Sequence, residues 1–522
     1  MKAAQTTIFS HFQPLTLLLL FAAILVVIIV NKLRAAYRQG IREVPGSWIA
    51  KFTNLWRVSM VWSGNAHVRY CKLHEQYGSL VRLAPNFVSV SDTSIISTVY
   101  GINTKFLKSD FYIVFDTPRD GMNMASMFST RNPEHHKTLK RPVAQKFAMT
   151  SIRSLEPLVD PCSDIFTDAM QASAGQIVDL GTWLQWYAFD VIGAITFNRR
   201  FGFMEKQRDI ENIIEGLDFG LAYGGIIGQM PWLHPWLLGN LTLRKLRAWL
   251  LPNAPDPVRT AINIENQMVL ERIEEYDKSQ VEYVESQGQD FLAFLRQQAK
   301  NTSTNMSSRD LMNHLMHNIL AGSDTTAIAL RAVLYYIIRN PRVYKTLQEE
   351  IDNANLAGKL SKNVTFAESQ ELPYLQCCLK EAMRFHPSVG YPLERVVPMP
   401  GADIGGVYLP GGTIIGVNAM VIHRDKSIFG ADANEFRPER WIAADSKLDV
   451  PNMERHLLTF GAGARTCIGK NISIMEMGKV IPQLLRQFTI TWASEKPEWE
   501  VKTWWFARQS GLLVKLERRD NS

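Results

Sequence analysis

The amino-acid sequence predicts a mainly α-helical protein with small β-sheets, preceded by one transmembrane helix at its N-terminus. Helical periodicity dominates between about residues 133 and 350. Two short runs, residues 80–85 and 87–92, flank Pro85-Asn86 and predict a hairpin of two strands. An uncharged apolar run at residues 15–30 comes before both. We therefore expect a large α-rich body that carries a small β part.

The apolar run at residues 15–30 approaches, with its apolar neighbours, the ~20 residues that span a bilayer. Four basic residues follow it, so the positive-inside rule places the body in the cytosol: Lys32, Arg34, Arg38 and Arg42. A cleaved signal peptide is the alternative, although its apolar region would be shorter and its start more basic. Pro45-Gly46 predicts a turn. We place the anchor and its basic flank at residues 1–44 and the main domain at 45–522.

Composition and charge exclude some classes of protein. The 522 residues carry a net charge of +7, which weakly favours an anionic membrane or an acidic partner. We expect no nucleic acid among the partners. The five cysteines are odd in number and irregular in spacing, which argues against a disulfide framework. Without a C-x-x-C pair, a structural zinc site is also disfavoured.

The helical region is expected to break near Gly224-Gly225, Pro231 and Pro252. Residues 307–341 then predict one long buried helix, with Ser307 and Asp310 as a capping box and Pro341 as its end. Strands and loops are expected at residues 387–416, which are rich in proline, glycine and β-branched residues.

Polar residues interrupt the centre of the long helix in the segment AGSDTT, residues 321–326. Gly322 weakens the helix, Asp324 is costly to bury, and Thr325 can bond back to a carbonyl four residues earlier. This pattern fits either a polar cluster facing a polar pocket or a local distortion that makes room for a small ligand. His314 and His317 precede it but have no carboxylate or cysteine to complete a metal site.

Two further motifs predict an ion-pair network. Glu381 and Arg384 lie at i and i+3 on one helix face, and Arg440 follows in the loop FRPERW. Separately, each motif is compatible with an ordinary surface pair. Together, the three residues could tie this loop to a core helix.

The segment FGAGARTCIG, residues 460–469, places Cys467 in a glycine-rich turn before a helix. Backbone N–H groups and the dipole at that helix start are expected to lower the pKa of the Cys467 thiol. A thiolate there could be a nucleophile or a metal ligand, and a buried inert cysteine is the alternative. Pro482 could bend the helix that follows.

The four motifs together, in this order and spacing, resemble the signatures of the cytochrome P450 superfamily of haem-thiolate monooxygenases. The turn that contains Phe460, Gly463, Arg465 and Cys467 is similar to that family's haem-binding loop. The resemblance covers nearly the whole chain and is nearest to fungal pisatin demethylase-like members. It implies the cytochrome P450 fold, a haem-thiolate catalytic domain at residues 45–522 and haem b as cofactor.

The resemblance implies roles for individual residues. Cys467 would be the axial ligand of the haem iron, where thiolate donation favours O–O cleavage. Asp324 and Thr325 would be catalytic, supplying protons while dioxygen is activated, and Gly322 would leave a groove for dioxygen. Phe460 would pack on the sulfur side of the haem.

The resemblance also implies cations that pair with the haem propionates. Arg465, Arg395 and His136 occupy such positions. Lys140 stands where an arginine is usual, with Arg141 next to it, so the sequence departs from the family pattern at this position.

The substrate implied by the resemblance is a lipophilic small molecule, such as a fungal secondary metabolite, that undergoes hydroxylation, demethylation or epoxidation. Isomerase or dehydratase chemistry, detoxification of a xenobiotic, and a haem protein that only binds or senses are the alternatives. The pocket is expected at Phe111, Tyr112, Phe115, His317, Leu320, residues 388–392 and 504–506, beneath a membrane-facing roof at residues 219–237.

The electron donor is expected to be a separate protein, because the chain has no flavin or nicotinamide fingerprint. The resemblance implies an NADPH-cytochrome P450 reductase, docking on a basic face that includes Lys140, Arg141 and Lys470. It also implies a single-pass protein of the endoplasmic reticulum membrane.

Overall fold

The computed structural model describes residues 14–119, 122–250, 257–278, 290–301, 306–443 and 448–519. Most of these residues are helical, which confirms the predicted fold class. The α-helices, in chain order, are α1 (Pro14–Ala36), α2 (Leu55–Trp62), α3 (Ala66–Tyr77), α4 (Ile96–Tyr100), α5 (Pro133–Lys140), α6 (Met149–Arg153), α7 (Glu156–Ala172), α8 (Leu180–Phe197), α9 (Phe203–Lys206), α10 (Ile213–Ile227), α11 (Leu241–Leu250), α12 (Pro257–Lys278), α13 (Phe291–Lys300), α14 (Ser308–Ile338), α15 (Pro341–Leu356), α16 (Phe366–Gln370), α17 (Pro373–Phe385), α18 (Ala419–Ile422), α19 (Lys426–Phe429), α20 (Val450–His456) and α21 (Lys470–Gln487).

The strands form one five-stranded sheet and several smaller ones. The largest sheet has the order β1 (Leu80–Ala84), β2 (Phe87–Val90), β10 (Ile414–Val417), β7 (Leu393–Val396) and β3 (Leu107–Lys108), in which β2 and β10 are parallel and the other neighbours are antiparallel. The strands are β1 (Leu80–Ala84), β2 (Phe87–Val90), β3 (Leu107–Lys108), β4 (Thr117–Arg119), β5 (Met122–Met124), β6 (Ile177–Asp179), β7 (Leu393–Val396), β8 (Gly401–Ile404), β9 (Val407–Pro410), β10 (Ile414–Val417), β11 (Phe488–Trp492), β12 (Glu500–Thr503), β13 (Ala507–Ser510) and β14 (Leu513–Arg518).

The predicted hairpin is β1 and β2, and it joins the N-terminal helix to the body. Arg82 of β1 is fully buried and donates hydrogen bonds from its guanidinium to the carbonyls of Ala35 and Ala36. These carbonyls end α1, so Arg82 satisfies groups that a helix end leaves without an internal partner. The chain beyond α1 is held too, because Ile41 and Val44 lie in the core beside the sheet.

Helix α1 is long and apolar enough, over residues 17–36, to cross a membrane. Most of its side chains are uncovered by the rest of the protein: Leu18 and Phe21 are 63% and 66% exposed. Such an unburied apolar helix differs from a core helix of the same composition.

Helix α14 crosses the centre of the body and is nearly as long as predicted. Its N-cap Ser307 accepts a hydrogen bond from the N–H of Asp310, and the Asp310 carboxylate accepts one from the N–H of Ser307, which confirms the capping box. Packed against α8, α17 and α21 in the main core, α14 brings its polar centre deep into the protein.

The helix break predicted near Gly224-Gly225 falls slightly later, since α10 continues through both glycines and ends at Ile227. The two glycines allow other residues to approach the helix closely. A Cβ on Gly224 would lie 2.8 Å from the ring of Phe115, and one on Gly225 would lie 2.7 Å from the carbonyl oxygen of Trp504. The chain does leave the helix before Pro231, whereas Pro252 lies outside the described residues.

Helix α21 passes through Pro482 without a break.

Helix α21 also contains Glu476, which is fully buried, with no hydrogen-bond partner among the described residues for either carboxylate oxygen. Burial raises the pKa of Glu476 well above its ordinary value, so the neutral acid is the favoured form in the folded protein. An ionised Glu476 would lose its hydration without gaining a hydrogen bond from a described residue.

We predict that Glu476→Gln stabilises the protein more at pH 8 than at pH 5. An acid whose pKa is raised by folding favours the folded state below its ordinary pKa, and that contribution is lost as the pH rises. Glutamine cannot ionise, so the gain over the wild type should grow by at most about 1.4 kcal/mol per pH unit. Thermal unfolding across this pH range measures the gain.

The control is Glu371→Gln, since Glu371 is exposed at the end of a short helix. Its effect on the unfolding temperature should be small and equal at both pH values. A Glu476→Gln effect that is also independent of pH would contradict the neutral buried acid.

Candidate functional site

A cavity of about 470 Å³ lies between the middle of α14 and the glycine-rich turn at residues 460–469. Its volume suits a cofactor or a drug-sized molecule. Cys467, Phe460 and Gly461 line one side, and Gly322 and Thr325 of α14 also line it. Apolar and aromatic side chains form much of the remaining wall, among them Tyr112, Val114, Phe115, Phe128, Phe147, Ile192, Leu217, Leu221, Trp505 and Phe506.

The turn holds Cys467 through its own backbone. The N–H of Cys467 donates to the carbonyl oxygen of Phe460 at 2.8 Å, which closes the loop. Gly463 has φ +62°, and a Cβ there would lie 1.7 Å from the carbonyl oxygen of Tyr100. Only glycine fits both the backbone conformation and the contact. Gly469, two residues after the cysteine, is the N-cap of α21.

The predicted lowering of the Cys467 pKa was wrong. The side chain is exposed toward the cavity but surrounded by dense protein, and this burial raises the pKa of its thiol above the ordinary value. The backbone N–H groups of Gly469 and Lys470 and the Lys470 ammonium act in the expected, opposite direction, but they only partly offset burial.

A continuous set of hydrogen bonds connects the predicted ion-pair network to this turn. Glu381, Arg384 and Arg440 are fully buried, and the Glu381 carboxylate accepts from both guanidiniums at 2.8–2.9 Å. The Arg384 carbonyl oxygen lies 2.9 Å from Nδ1 of His423. Nε2 of His423 accepts from the N–H of Leu458 at 2.8 Å, just before the turn.

His423 is therefore a structural residue. A carbonyl oxygen can only accept, so Nδ1 of His423 carries the proton and Nε2 is free to accept. Burial lowers the pKa of this imidazole to about 3, which agrees with a neutral ring. Cys377 and Cys378 are buried on the same helix as Glu381.

Four predicted cationic or ionisable residues line the cavity near the turn. Arg465 donates from Nη1 to the carbonyl oxygen of Thr130 at 3.0 Å, and Lys140 donates to that of Ala464 at 3.1 Å. Arg395 is buried, with its guanidinium 4.8 Å from the centre of the Tyr100 ring. His136 is half-buried on α5.

Lys108 joins this group and was missed by the sequence analysis. It lies on the two-residue strand β3, and its ammonium is 4.0 Å from the centre of the Tyr112 ring. A single lysine in a short segment matches no motif, so the sequence does not predict that Lys108 lines a cavity. Its place in the cavity follows only from the pairing of β3 with β7, which puts Lys108 opposite Arg395.

Burial and repulsion from neighbouring cations disfavour the charged forms of Arg465, Lys108 and His136. Burial and then the Arg395 charge lower the pKa of Arg465 to about 10. Burial, Arg395 and Arg465 lower the pKa of Lys108. The pKa of His136 falls to about 4, through burial and then its cationic neighbours. An anionic group in the cavity would relieve this repulsion.

Asp324 and Thr325 face different spaces although they are adjacent on α14. Thr325 lines the large cavity, and its hydroxyl donates to the carbonyl oxygen of Ala321 at 2.7 Å, the predicted back-bond. Asp324 is 4% exposed and lines a neighbouring cavity of about 280 Å³. Burial raises the pKa of Asp324, opposed by its hydrogen bond from Gln185 and the Arg331 charge.

Gln185 of α8 orients Asp324 and was also missed. Its amide oxygen accepts from Arg331 at 2.9 Å and from Arg508 at 3.1 Å, so its amide nitrogen must face Asp324, to which it donates at 2.7 Å. Arg508 is in turn paired with Asp218 of α10. Glutamines are common on helices, so nothing in the sequence singles this one out.

Gly322 lines the large cavity and also lets two helices approach. A Cβ at this position would lie 2.7 Å from Cδ1 of Ile192 on α8.

Most of the predicted pocket residues line the cavity, including His317 and Leu320. Four of them do not: Phe111, Gly390, Pro392 and Trp504. Phe111 stacks on Tyr391, and Trp504 lines the smaller cavity.

The donor set fits haem b. Among the described residues no group of three or more His, Cys, Asp or Glu side chains could hold a metal ion. A metal bound by Cys467 would therefore need further ligands from outside the chain, which a porphyrin supplies. The apolar walls suit a flat macrocycle, and the crowded cations suit its two carboxylates.

Comparisons with known proteins agree with this site. The family model described as Cytochrome P450 matches residues 44–516. The cytochrome P450 monooxygenase cicH of Emericella nidulans is 37% identical over 487 residues, covering 92% of this chain and 95% of that protein. Pisatin demethylase of Fusarium vanettenii is 35% identical, covering 93% of this chain and 90% of that protein. Cytochrome P450 monooxygenase mpaDE of Penicillium roqueforti is 36% identical, covering 92% of this chain and 55% of that protein.

We predict that Gly463→Ala displaces the turn that holds Cys467. The added Cβ meets a backbone oxygen and the φ value is unfavourable for alanine, so the cost should exceed the ~1–2 kcal/mol of left-handed strain alone. The thermal unfolding temperature and the haem bound per protein measure the effect.

The matched control is Gly511→Ala, where φ is +84° and a Cβ would meet nothing within 4 Å. This variant should show only the conformational strain and keep its haem. Equal losses in the two variants would mean that the contact with Tyr100 does not position the turn.

Proposed function

The chain belongs to the cytochrome P450 family, and from this premise we propose that it is a membrane-anchored haem-thiolate monooxygenase. It inserts one oxygen atom from dioxygen into a lipophilic small molecule by hydroxylation, demethylation or epoxidation. The observation that carries the proposal is the position of Cys467 in the wall of a large apolar cavity, facing a helix that bears Thr325.

Cys467 is the proposed protein ligand of haem b. Its propionates would be bound by Arg465, Arg395, Lys140 and His136, which all line this cavity, as does Lys108. Phe460 would cover the sulfur side, and Gly463 fixes the turn. A haem bound through a thiolate supplies the oxidising chemistry of this family.

Asp324 and Thr325 are the proposed proton donors. The raised pKa of Asp324 keeps a proton available on its carboxyl at higher pH than an exposed aspartate would. Gln185 holds one oxygen of this carboxyl, which fixes its direction. The Thr325 hydroxyl lines the large cavity, and its hydrogen bond to the Ala321 carbonyl fixes its position there.

The substrate class follows from the cavity and from the relatives. The walls are mainly aromatic and aliphatic, so a lipophilic molecule would bind. The relatives named above come from fungi, and one is named for the demethylation of pisatin. A role in fungal secondary metabolism is therefore our proposal, with removal of a foreign compound as the alternative.

The proposed location is the endoplasmic reticulum membrane, with α1 as a single span and the body in the cytosol. Lys32 and Arg34 follow the apolar run and are exposed, in agreement with this orientation. An NADPH-cytochrome P450 reductase would supply the electrons from NADPH. Arg141 and Lys470 are exposed and offer it a basic surface near Cys467.

We predict a strongly red-shifted Soret band when the reduced wild-type protein binds carbon monoxide. Cys467→Ala should lose that band, because no other described residue can supply a thiolate to this cavity. The carbon-monoxide difference spectrum is the measurement.

Cys71→Ala is the control, since Cys71 lies on α3, away from the cavity lining. Its spectrum should match that of the wild type. A band typical of histidine-ligated haem in the wild type, or an unchanged band in Cys467→Ala, would refute the assignment.

We further predict that Asp324→Asn lowers dioxygen-dependent product formation by about 100-fold, in the range of general acid catalysis. Thr325→Val should release more hydrogen peroxide per NADPH oxidised, because it removes the hydroxyl but keeps the shape. Oxygen, NADPH and peroxide are measured together with a lipophilic probe and a reductase.

Ser323→Ala is the control, since Ser323 is buried on the same helix and donates only to the Ile319 carbonyl. It should leave the stoichiometry unchanged. Product formed without dioxygen or reductase, and unaffected in Asp324→Asn, would support isomerase or dehydratase chemistry.

A further inference from the structure

The large cavity is apolar over most of its wall, but its α14 side becomes polar toward the helix start. Asn313, His314, His317 and Asn318 all line it there. His314 and Asn318 are four residues apart and so share one face of α14 with Ala321 and Thr325. The polar group and the proposed reaction centre therefore lie along one stripe of the same helix.

Several polar atoms in this group have no partner among the described residues. They are Nε2 of His314, Oδ1 of Asn313 and Nδ2 of Asn318, and each atom is buried. His314 and Asn313 are each 6% exposed. A polar group buried without a hydrogen bond is unfavourable, so three such atoms on residues that line one cavity mark a wall that lacks hydrogen-bond partners and that a polar ligand group could supply.

The orientation of one amide can be assigned. Nδ2 of Asn313 donates to the carbonyl oxygen of Ala125 at 3.2 Å, so its unpartnered oxygen is an acceptor. The unpartnered Nδ2 of Asn318 is a donor, and Nε2 of His314 can serve in either role according to its tautomer. The wall thus requires a group that both donates and accepts.

The same residues offer no cation. Burial, then repulsion from His317, lowers the pKa of His314 to about 4, so its imidazole is neutral near neutral pH. Burial also lowers the pKa of His317, whose Nδ1 is held by the carbonyl oxygen of Asn313 at 2.8 Å. A carboxylate or phosphate would be desolvated here without a counter-charge, whereas an uncharged hydroxyl would not.

We propose that Asn313, His314 and Asn318 form a subsite that binds a hydroxyl or phenol group of the substrate. The inference rests on the proposed function, since it concerns the same cavity. Seven residues separate His314 from Ala321, and eleven separate it from Thr325. At 1.5 Å per residue, the bound hydroxyl lies about 10–16 Å along α14 from the oxidised position. The substrate is thus a lipophilic molecule with a free hydroxyl near its far end.

This geometry also has a consequence for regiochemistry. A hydroxyl held at one end of the cavity fixes which part of the molecule reaches Thr325 and Cys467. Methylation of that hydroxyl removes the donor and adds bulk at a buried wall. The subsite should therefore favour the free phenol or alcohol over its methyl ether.

The test compares 4-hydroxybiphenyl with 4-methylbiphenyl, which have nearly the same shape but differ in hydrogen bonding. Calorimetric titration of the full-length haem-loaded protein in nanodiscs gives both dissociation constants. In His314→Phe, the preference for the hydroxyl compound should fall by about three- to tenfold, the usual worth of one hydrogen bond. Affinity for 4-methylbiphenyl should stay within about twofold.

Asn318→Leu is a second variant, since Asn318 is only half-buried and its Nδ2 has no hydrogen-bond partner among the described residues. It should lower the same preference. Leu320→Met is the control, because Leu320 lines the same cavity on the same helix but carries no polar atom. It should leave the preference unchanged.

An unchanged preference in both His314→Phe and Asn318→Leu would overturn the subsite, and so would an equal loss of affinity for the two compounds. The carbon-monoxide spectrum of each preparation separates this result from the proposed function. A normal thiolate band with an unchanged preference would refute only the subsite. A missing band with the predicted change in preference would refute only the haem-thiolate assignment.

Discussion

The position of the glycine-rich turn that contains Cys467 depends on one buried carboxylate. Glu381 accepts hydrogen bonds from Arg384, Arg440, the Trp441 indole and the N–H of Arg437, so every charge in the group is paired. Isolated, such a carboxylate would cost several kcal/mol to bury, and removing one partner commonly costs about 3–5 kcal/mol. The network therefore specifies one arrangement of the loop against α17. His423 extends this arrangement to the backbone that precedes the turn.

The cavity shows the opposite situation, in which favourable pairing is incomplete. The cations near the turn repel one another, and burial raises the pKa of the Cys467 thiol. In the protein alone, these two features disfavour the cationic forms of Arg465 and Lys108 and the thiolate form of Cys467. A haem, with an iron cation and two carboxylates, would supply the opposite charges at both places. The rigid network on one side makes these local costs tolerable, because the turn cannot relax away from the cavity.

The sequence was sufficient for features carried by local pattern. The long helix α14, the hairpin of β1 and β2, and the glycine turn each depend on residues close together in the chain. Lys108 and Gln185 could not be predicted, because their positions depend on strand pairing and on guanidiniums from distant elements. The expected lowering of the Cys467 pKa failed for a related reason. The dipole effect is local, but the burial that outweighs it is a property of the folded body.

Helix α14 acts as a partition between two compartments. Thr325 opens on the larger one and Asp324 on the smaller one, which is also lined by Asp218 and Arg508. Leu221, Trp505 and Phe506 line both compartments, so substitutions there would change both of them. Substitutions at Tyr112 or Phe128 would reshape only the larger one, so most of its wall can change while the setting of the Asp324 carboxyl stays the same.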